Sequence, residues 1–398
     1  MSTASRVYLS RPGIVSALGA GIDATLDGLF SGCTSGMVLE DGWLPSGAAR
    51  VGRVTTSLPE ISATAGLPAQ SRNNRLLLAA IGQIAEDIDS VIHRYGPTRV
   101  GVVLGSSTSG IAEGEVAMAA YSRDGRFPSN FTYLQMEIGA PAPFLADYLK
   151  IKGPTYTISS ACTSGAKALA SARNLIRLGI CDAVIAGGVD SLCKLTLRGF
   201  TALESTTAEL TNPLSKNRCG INIGEGAAVF VVSREEQPVM LLGAGESSDA
   251  YHMSAPEPEG RGAEAAMRAA LSDTGLTSDQ VGYINLHATA TPKNDAMESQ
   301  AIARIFTDGV PVSGTKPLTG HALGAAGALE AAFCWLTLAS GGGRLPPHVW
   351  DGQIDPNLPR MHTVANGECF SRNNNRVCLS NSFAFGGSNI SLVLGDPR

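Results

Sequence analysis

One cysteine, two histidines and one lysine stand where side chains can do chemistry. In YTISSACTSGAKALASA (156–172) a β-type run ends in small residues, Cys162 follows, and a helix opens at Thr163 or Ser164. A thiol there faces the unpaired N–H groups and positive end of the helix, which favour thiolate. The same N–H groups can hold an oxyanion when sulfur attacks a carbonyl. In YINLHATATPKNDAMES (283–299) a short apolar strand delivers His287 to an Ala- and Thr-rich turn. In VSGTKPLTGHALGAAGALEAA (312–332) Lys316 and His321 share a loop that leads into a helix. A cation beside His321 would keep that imidazole neutral. Glu330, alone in an apolar helix, needs a partner, and Lys316 is eligible. In LSNSFAFGGSNISLVLG (379–395) the Gly386–Gly387 turn lets backbone N–H groups approach a ligand. No Lys-Ser/Thr and no helix follow it, so it is not a nucleotide P-loop.

The elements that must position these residues alternate. RVGVVLGSS (99–107), CDAVIAGGV (181–189), GAAVFVVS (226–233) and VCLSNSF (377–383) are continuous apolar runs bounded by glycine or turns, the pattern of strands buried on both faces. Residues 72–88, 164–179, 264–275 and 327–339 carry apolar side chains at i, i+3 and i+4, and read as helices. Strands alternating with helices predict α/β layers. Cys162-Thr-Ser-Gly-Ala and His321-Ala-Leu-Gly-Ala each open an Ala-rich helix. That echo predicts two similar halves meeting near residue 240, each placing one reactive side chain at a helix start.

Composition removes whole classes. The chain has 398 residues, enough for two large domains or one two-part body, and its formal charge of −5 does not suit a nucleic-acid binder. Charged residues are only 16%, and 46 glycines make for close backbone contacts rather than disorder or a coiled coil. The eight cysteines show no C-x-x-C pair and no metal-ligand spacing, which predicts reduced thiols in a cytoplasmic setting. Apart from Cys162 they read mostly as small core residues. The N-terminal stretch lacks a long apolar run with a cleavage site. Segment 323–343 is apolar but Ala/Gly-dominated with Glu330 inside it, and reads as a buried helix, not a membrane span.

Taken together, the four segments, with GIVSALG (13–19), GINIGEGAAVF (220–230) and SSDAYHM (247–253), resemble the β-ketoacyl-acyl-carrier-protein synthases, the elongating Cys-His-His condensing enzymes of fatty-acid and type II polyketide synthesis. The resemblance covers nearly the whole chain. It implies the thiolase fold, a five-layered α-β-α-β-α body of two duplicated halves, here 1–240 with the nucleophile and 241–398 with both histidines and the lysine. It implies Cys162 as acyl acceptor, His287 and His321 as decarboxylation histidines, and Lys316 and Glu330 as their support. Phe385 falls on the aromatic gate whose N–H joins that of Cys162 in the oxyanion hole. Thr289 and Thr291 match contacts to a phosphopantetheine arm, and Phe200 the acyl pocket. The implied partner is an acidic acyl carrier protein docked on Arg72, Arg75, Arg123 and Arg126. Neither metal nor free cofactor is implied, and a homodimer or a heterodimer with a ketosynthase-like subunit is expected.

Departures from the family pattern are Ala288 and Ala384 where glycine is usual, Ser388 for threonine, Cys219-Gly220-Ile221 for Asp-Gly-Phe, and Pro317 after the lysine. They remove no reacting atom and point to a specialised enzyme, of an aryl-polyene or similar pathway, rather than one of primary fatty-acid elongation. Ala384 should stiffen the gate if its dihedral angles tolerate a Cβ. A thiolase would need a second cysteine in the C-terminal glycine loop, and an initiating enzyme an asparagine at position 321. A chain-length-factor subunit would lack Cys162, and a cysteine hydrolase would not need Lys316 and a second histidine.

Overall fold

The glycine-bounded apolar runs fold as central strands: Val100–Gly105, Ala183–Asp190, Gly226–Ser233 and Val377–Phe383 are buried along their whole length. The computed structural model describes residues 6–339, 342–371 and 376–396. The reading of the N-terminus falls partly on residues 1–5, and the apolar segment 323–343 includes 340 and 341; these lie outside the described residues.

One five-strand arrangement occurs twice. In the first copy Thr155–Ile158, Val100–Gly105 and Ala183–Asp190 lie side by side and parallel, followed by antiparallel Gly226–Ser233 and Tyr8–Leu9. In the second, Pro311–Gly314, Tyr283–Leu286 and Val377–Phe383 are parallel, followed by antiparallel Ser388–Gly395 and Val239–Ser248. The copies join where Tyr8 and Leu9 pair with Met240 and Val239.

Three hydrophobic clusters separate the layers. Helices Ser164–Arg177 and Ala326–Ala339 pack between the two strand sets, where Ala166, Leu169, Ala328 and Phe333 meet Val103, Phe230 and Leu392. Outside the first set, Leu76 and Leu77 of Arg72–Ile81 and Leu145 of Pro141–Leu149 cover Val102, Ile185 and Val229. Outside the second, Met267 of Arg261–Thr274 and Met297 and Ile302 of Pro292–Ile305 cover Ile284, Val312 and Leu379. The order of layers is therefore α-β-α-β-α.

Small residues allow the middle layer to close. A Cβ on Gly165 would lie 2.8 Å from the Gly324 carbonyl oxygen, and one on Gly327 would lie 2.8 Å from Ala166 Cβ. The repeated Gly-Ala pairs after Cys162 and His321 are thus the contact surface of two helices. Ala326–Ala339 is buried along all but its last residue, and among the described residues no helix is long and apolar enough to cross a membrane.

Two expectations differ in detail. The helix read over 72–88 ends at Ile81, passes through a 3-10 turn at Gly82–Ile84, and resumes as Ala85–Tyr95. Gln83 sits in the break, its amide exchanging two hydrogen bonds of 2.9 Å with the Ile14 backbone, and this tertiary tie outweighs helical continuation. Of the seven other cysteines, Cys181, Cys193, Cys334 and Cys378 are buried as expected, but Cys33 is only half-buried and Cys219 and Cys369 are exposed. The last two lie in loops, which run over the surface.

Candidate active site

The strand-to-helix turn that carries Cys162 is strained and stitched. Ala161 has φ 52, a left-handed conformation that costs a residue with a Cβ about 1–2 kcal/mol. Ser164 Oγ holds it, donating to the Ala161 carbonyl at 2.6 Å and accepting from Ser160 N–H at 2.9 Å. The helix then starts at Ser164, with Cys162 two residues ahead of it. His321 arrives on the loop before the other middle-layer helix, and its Nε2 stands 3.1 Å from Cys162 Sγ. The His287 ring lies edge-on to the His321 ring, centroids 5.2 Å apart. The thiol and one nitrogen of each imidazole all fall within 4.8 Å of one another. A thiophilic divalent ion would accept such a donor set, at the expense of the thiol proton.

The three groups line a cavity of about 330 Å³ that also touches Phe200, Thr289, Thr291 and Phe385. The Thr289 and Thr291 hydroxyls are 2.9 Å apart, and the Phe200 and Phe385 rings meet at a tilt of 36° with centroids 5.3 Å apart. Phe385 is 36% exposed at the start of the Gly386–Gly387 turn. Gly386 has φ 83 and Gly387 φ 78, so glycine is required at both. Ala384 has φ −128 and ψ 155, extended backbone that any residue adopts, so its methyl is tolerated. Ala288 is the opposite case. Its φ is 40, and a Cβ on Gly314 would lie 2.6 Å from Ala288 Cβ, so the side chain that replaced one glycine depends on another. Pro317 fits because it occupies the first turn of the short helix Lys316–Thr319.

Lys316 and Glu330 are buried together, Nζ to Oε1 2.5 Å. The expectation that Lys316 stands beside His321 is corrected: its ammonium donates to the His287 carbonyl and lies 3.4 Å from His287 Nδ1. Lys316 opens the short helix, and its ammonium lies toward the strand that carries His287. Its field still reaches both rings. Burial, then the Lys316 charge, then His321 hold His287 well below the ordinary imidazole range; burial and Lys316 do the same for His321. Both histidines are neutral near pH 7. Burial raises Glu330 to about 7 against the opposing pull of Lys316.

Cys162 corrects a second expectation. Burial pushes its thiol up to about 12, and Lys316 only partly offsets this. The helix-start position was expected to favour thiolate. In the folded protein desolvation of the anion outweighs the partial charges of the helix. The resting group is a thiol with an imidazole nitrogen in hydrogen-bond range.

Sequence reasoning missed the carboxylates that hold this geometry. Glu298 accepts from the N–H groups of His287 and Ala288, both at 2.8 Å, and Asp295 accepts from Ala290 at 3.1 Å. Asp190, fully buried, accepts at Oδ1 from the hydroxyls of Ser106 and Thr108 and the N–H groups of Ser107 and Thr108. Its Oδ2 accepts from Gly324 N–H at 2.6 Å, tying the His321 loop to the other half. Burial raises Asp190 to about 6 and Glu298 to about 7. An acid closing the apolar strand run at 183–190 was the available signal for Asp190.

The four arginines expected to dock a partner are largely engaged. Arg72 donates to both carboxylate oxygens of buried Glu225, at 2.8 and 2.5 Å, so its charge serves the interior. Arg75 pairs with Glu60 at 2.6 Å and Arg123 with its neighbour Asp124 at 2.8 Å. Arg126 is exposed and forms no ion pair among the described residues.

A thiol and two neutral imidazoles at the meeting of two duplicated α/β halves define a carbon–carbon condensing enzyme of the thiolase-like fold. The sequence matches the family descriptions "Beta-ketoacyl synthase, N-terminal domain" over residues 61–238 and "Beta-ketoacyl synthase, C-terminal domain" over residues 239–349. The 3-oxoacyl-(acyl-carrier-protein) synthase 2 of Vibrio cholerae is 32% identical over 79% of this chain and 80% of its own. Among solved structures, "Ketosynthase (ApeO) in Complex with its Chain Length Factor (ApeC) from Xenorhabdus doucetiae" superposes with a TM-score of 0.93 at 43% identity, covering 100% of this chain and 99% of that one. "The ishigamide ketosynthase/chain length factor" superposes with a TM-score of 0.85 at 25% identity, covering 99% and 100%. The chain belongs to the β-ketoacyl synthase family, and is a condensing enzyme of the acyltransferase type.

Proposed function

We propose that the protein joins an acyl group held on Cys162 to the two-carbon unit of a malonyl thioester, both substrates arriving on the phosphopantetheine arm of an acyl carrier protein. The observation that carries this reading is the 3.1 Å contact of Cys162 Sγ with His321 Nε2, with the His287 ring beside it in one cavity. In the first half-reaction Sγ attacks the acyl thioester carbonyl while His321 Nε2 takes the thiol proton. The N–H groups of Cys162 and Phe385 hold the oxyanion. Collapse breaks the bond to the carrier sulfur, which leaves with the proton from His321.

In the second half-reaction a malonyl thioester loses carbon dioxide, and the electron pair stays as an enolate on the thioester oxygen. Neutral His287 donates to that oxygen, and His321 joins it as the Nε2–H tautomer, because with sulfur acylated that nitrogen no longer has a thiol proton to accept. Lys316 at Nδ1 of His287 favours the tautomer whose Nε2–H points to substrate. The enolate carbon attacks the acyl-Cys162 carbonyl, and Sγ leaves as thiolate and regains a proton from solvent. The product is a β-ketoacyl thioester two carbons longer. These groups supply the charge stabilisation themselves, and we assign no free cofactor or metal. Phe200 and Phe385 border the acyl group, and Thr289 and Thr291 the arm.

Likeness over the whole chain to a ketosynthase described with its chain length factor supports a specialised pathway and a heterodimer with a ketosynthase-like subunit, over a homodimer of primary fatty-acid elongation. We assign residues 1–240 and 241–398 as the two catalytic halves and the cytoplasm as the site of action. Mass spectrometry after exposure to acyl-carrier protein tests the reading: a covalent acyl adduct is expected, and Cys162→Ala abolishes it. An adduct that survives in that variant overturns it. Native mass spectrometry of the co-expressed pair decides between homodimer and heterodimer.

A further inference from the structure

His287, Thr289, Thr291 and Lys293 alternate along one segment, and all four line the catalytic cavity. Their exposure rises outward: His287 and Thr289 are buried, Thr291 is half-buried and Lys293 is exposed. The row therefore runs from the reacting atoms to the cavity mouth. A linear substrate with a thioester at one end and a phosphodiester at the other would lie along it, with amides beside the threonine hydroxyls.

Lys293 is the lysine or arginine of that lining, and among the described residues it forms no ion pair. Two carboxylates share the wall. Asp249 is occupied by Asn389 Nδ2 at 2.6 Å and Glu257 N–H at 3.0 Å, and Glu204 is exposed and unpaired with Lys293. Arg72, Arg75 and Arg123 are held by carboxylates of this chain. Arg126 is also without an ion pair among the described residues but does not line the cavity, so the cation facing it is Lys293.

We infer that Lys293 binds the phosphate of the phosphopantetheine arm at the cavity mouth, which fixes how far the thioester reaches toward Cys162. The inference rests on the condensing reaction proposed above. A charge-assisted contact at an exposed mouth is modest and weakened by salt.

The test compares malonyl and acyl thioesters of pantetheine with those of 4′-phosphopantetheine, and with carrier protein, on the full chain with any subunit that co-purifies. For the unaltered protein the phosphate lowers KM about fivefold at low salt, and added salt erodes the difference. Lys293→Gln brings the KM ratio of the two small thioesters close to one, and Lys293→Arg keeps it. A ratio preserved in Lys293→Gln overturns the assignment. So does a variant that alters KM for carrier protein alone, which would put the lysine against the carrier surface. Failure of the unaltered protein to condense any thioester is a separate result, and sinks the condensing reaction itself.

Discussion

His321 Nε2 lies 3.1 Å from Cys162 Sγ although 159 residues separate the two in the chain. They meet because each stands just before one of the two helices packed in the middle layer, and Gly165, Gly324 and Gly327 let those helices touch. The contact joins a buried thiol to a neutral imidazole, so in the proposed reaction proton transfer and attack at sulfur would be coupled.

Alkylation of Cys162 by iodoacetamide should therefore rise with pH without a plateau below about 10, because its thiol is raised to about 12. Only a raised acid behaves so: the folded chain keeps its proton where a free thiol would lose it. The same sign predicts stability lost as pH rises from 9 toward 12, and less of that loss in Cys162→Ser. Peptide-resolved alkylation rates that level off near pH 8 would contradict the buried-thiol account.

His287→Ala should lower carbon dioxide release from a malonyl thioester by about 10²–10³-fold, the usual effect of losing one donor to a developing oxyanion. Acyl transfer to Cys162 should survive, because His321 is the ring at the thiol. His321→Ala should slow both steps. Equal loss of acylation in the two variants would refute this division.

Removing one member of the buried Lys316–Glu330 pair should destabilise more than removing both. Lys316→Met alone strands Glu330 without its partner in the interior, at up to about 3–5 kcal/mol and less where the acid takes a proton, whereas Lys316→Met with Glu330→Leu should recover most of that. Decarboxylation should stay impaired in the double variant, since the cation near His287 Nδ1 is still gone. Thermal unfolding beside a decarboxylation assay reads both effects.

Asp190→Asn turns an acceptor into a mixed group whose amide, if seated at Oδ2, would face Gly324 N–H, donor against donor. An expected loss of about 1–3 kcal/mol should accompany a fall in kcat larger than any rise in KM, because the His321 loop is loosened while the arm's path is untouched. Asp190→Ala gives a second reading of the same effect. Unchanged kcat in a folded variant would show that the tie does not position His321.

Ala288 and Gly314 should be coupled. Gly314→Ala places two methyl carbons in overlap, and overpacking of this kind costs about 1–3 kcal/mol. Ala288→Gly in the same chain should restore much of that loss, since the remaining neighbours of the new Cβ lie at 3.4 Å or beyond. Additive unfolding energies in the double-mutant cycle would disprove the coupling.

Much of this arrangement is legible in the linear sequence because it is set by local rules. Continuous apolar runs such as Ala183–Asp190 mark strands buried on both faces, and the Gly-Ala echo after Cys162 and His321 marks two similar helix starts, one in each half. The break at Gly82–Ile84 was not legible, since its cause is Gln83 reaching the backbone of Ile14. The pairing of Arg72 was hidden for the same kind of reason: nothing local announces that Glu225 waits inside.

Residue types and order alone singled out the thiol proposed as nucleophile, the two imidazoles, the cation with its acid and the layered α/β body. Tertiary structure alone decided which ring the lysine touches, whether sulfur keeps its proton, and which cation remains at the mouth. The physical reason is that charge and hydrogen bonding respond to distance and to exclusion of water. Both are properties of packing between segments remote in the chain, so the ionisation of Cys162 and the pairing of Lys316 took shape only when the two halves closed on each other.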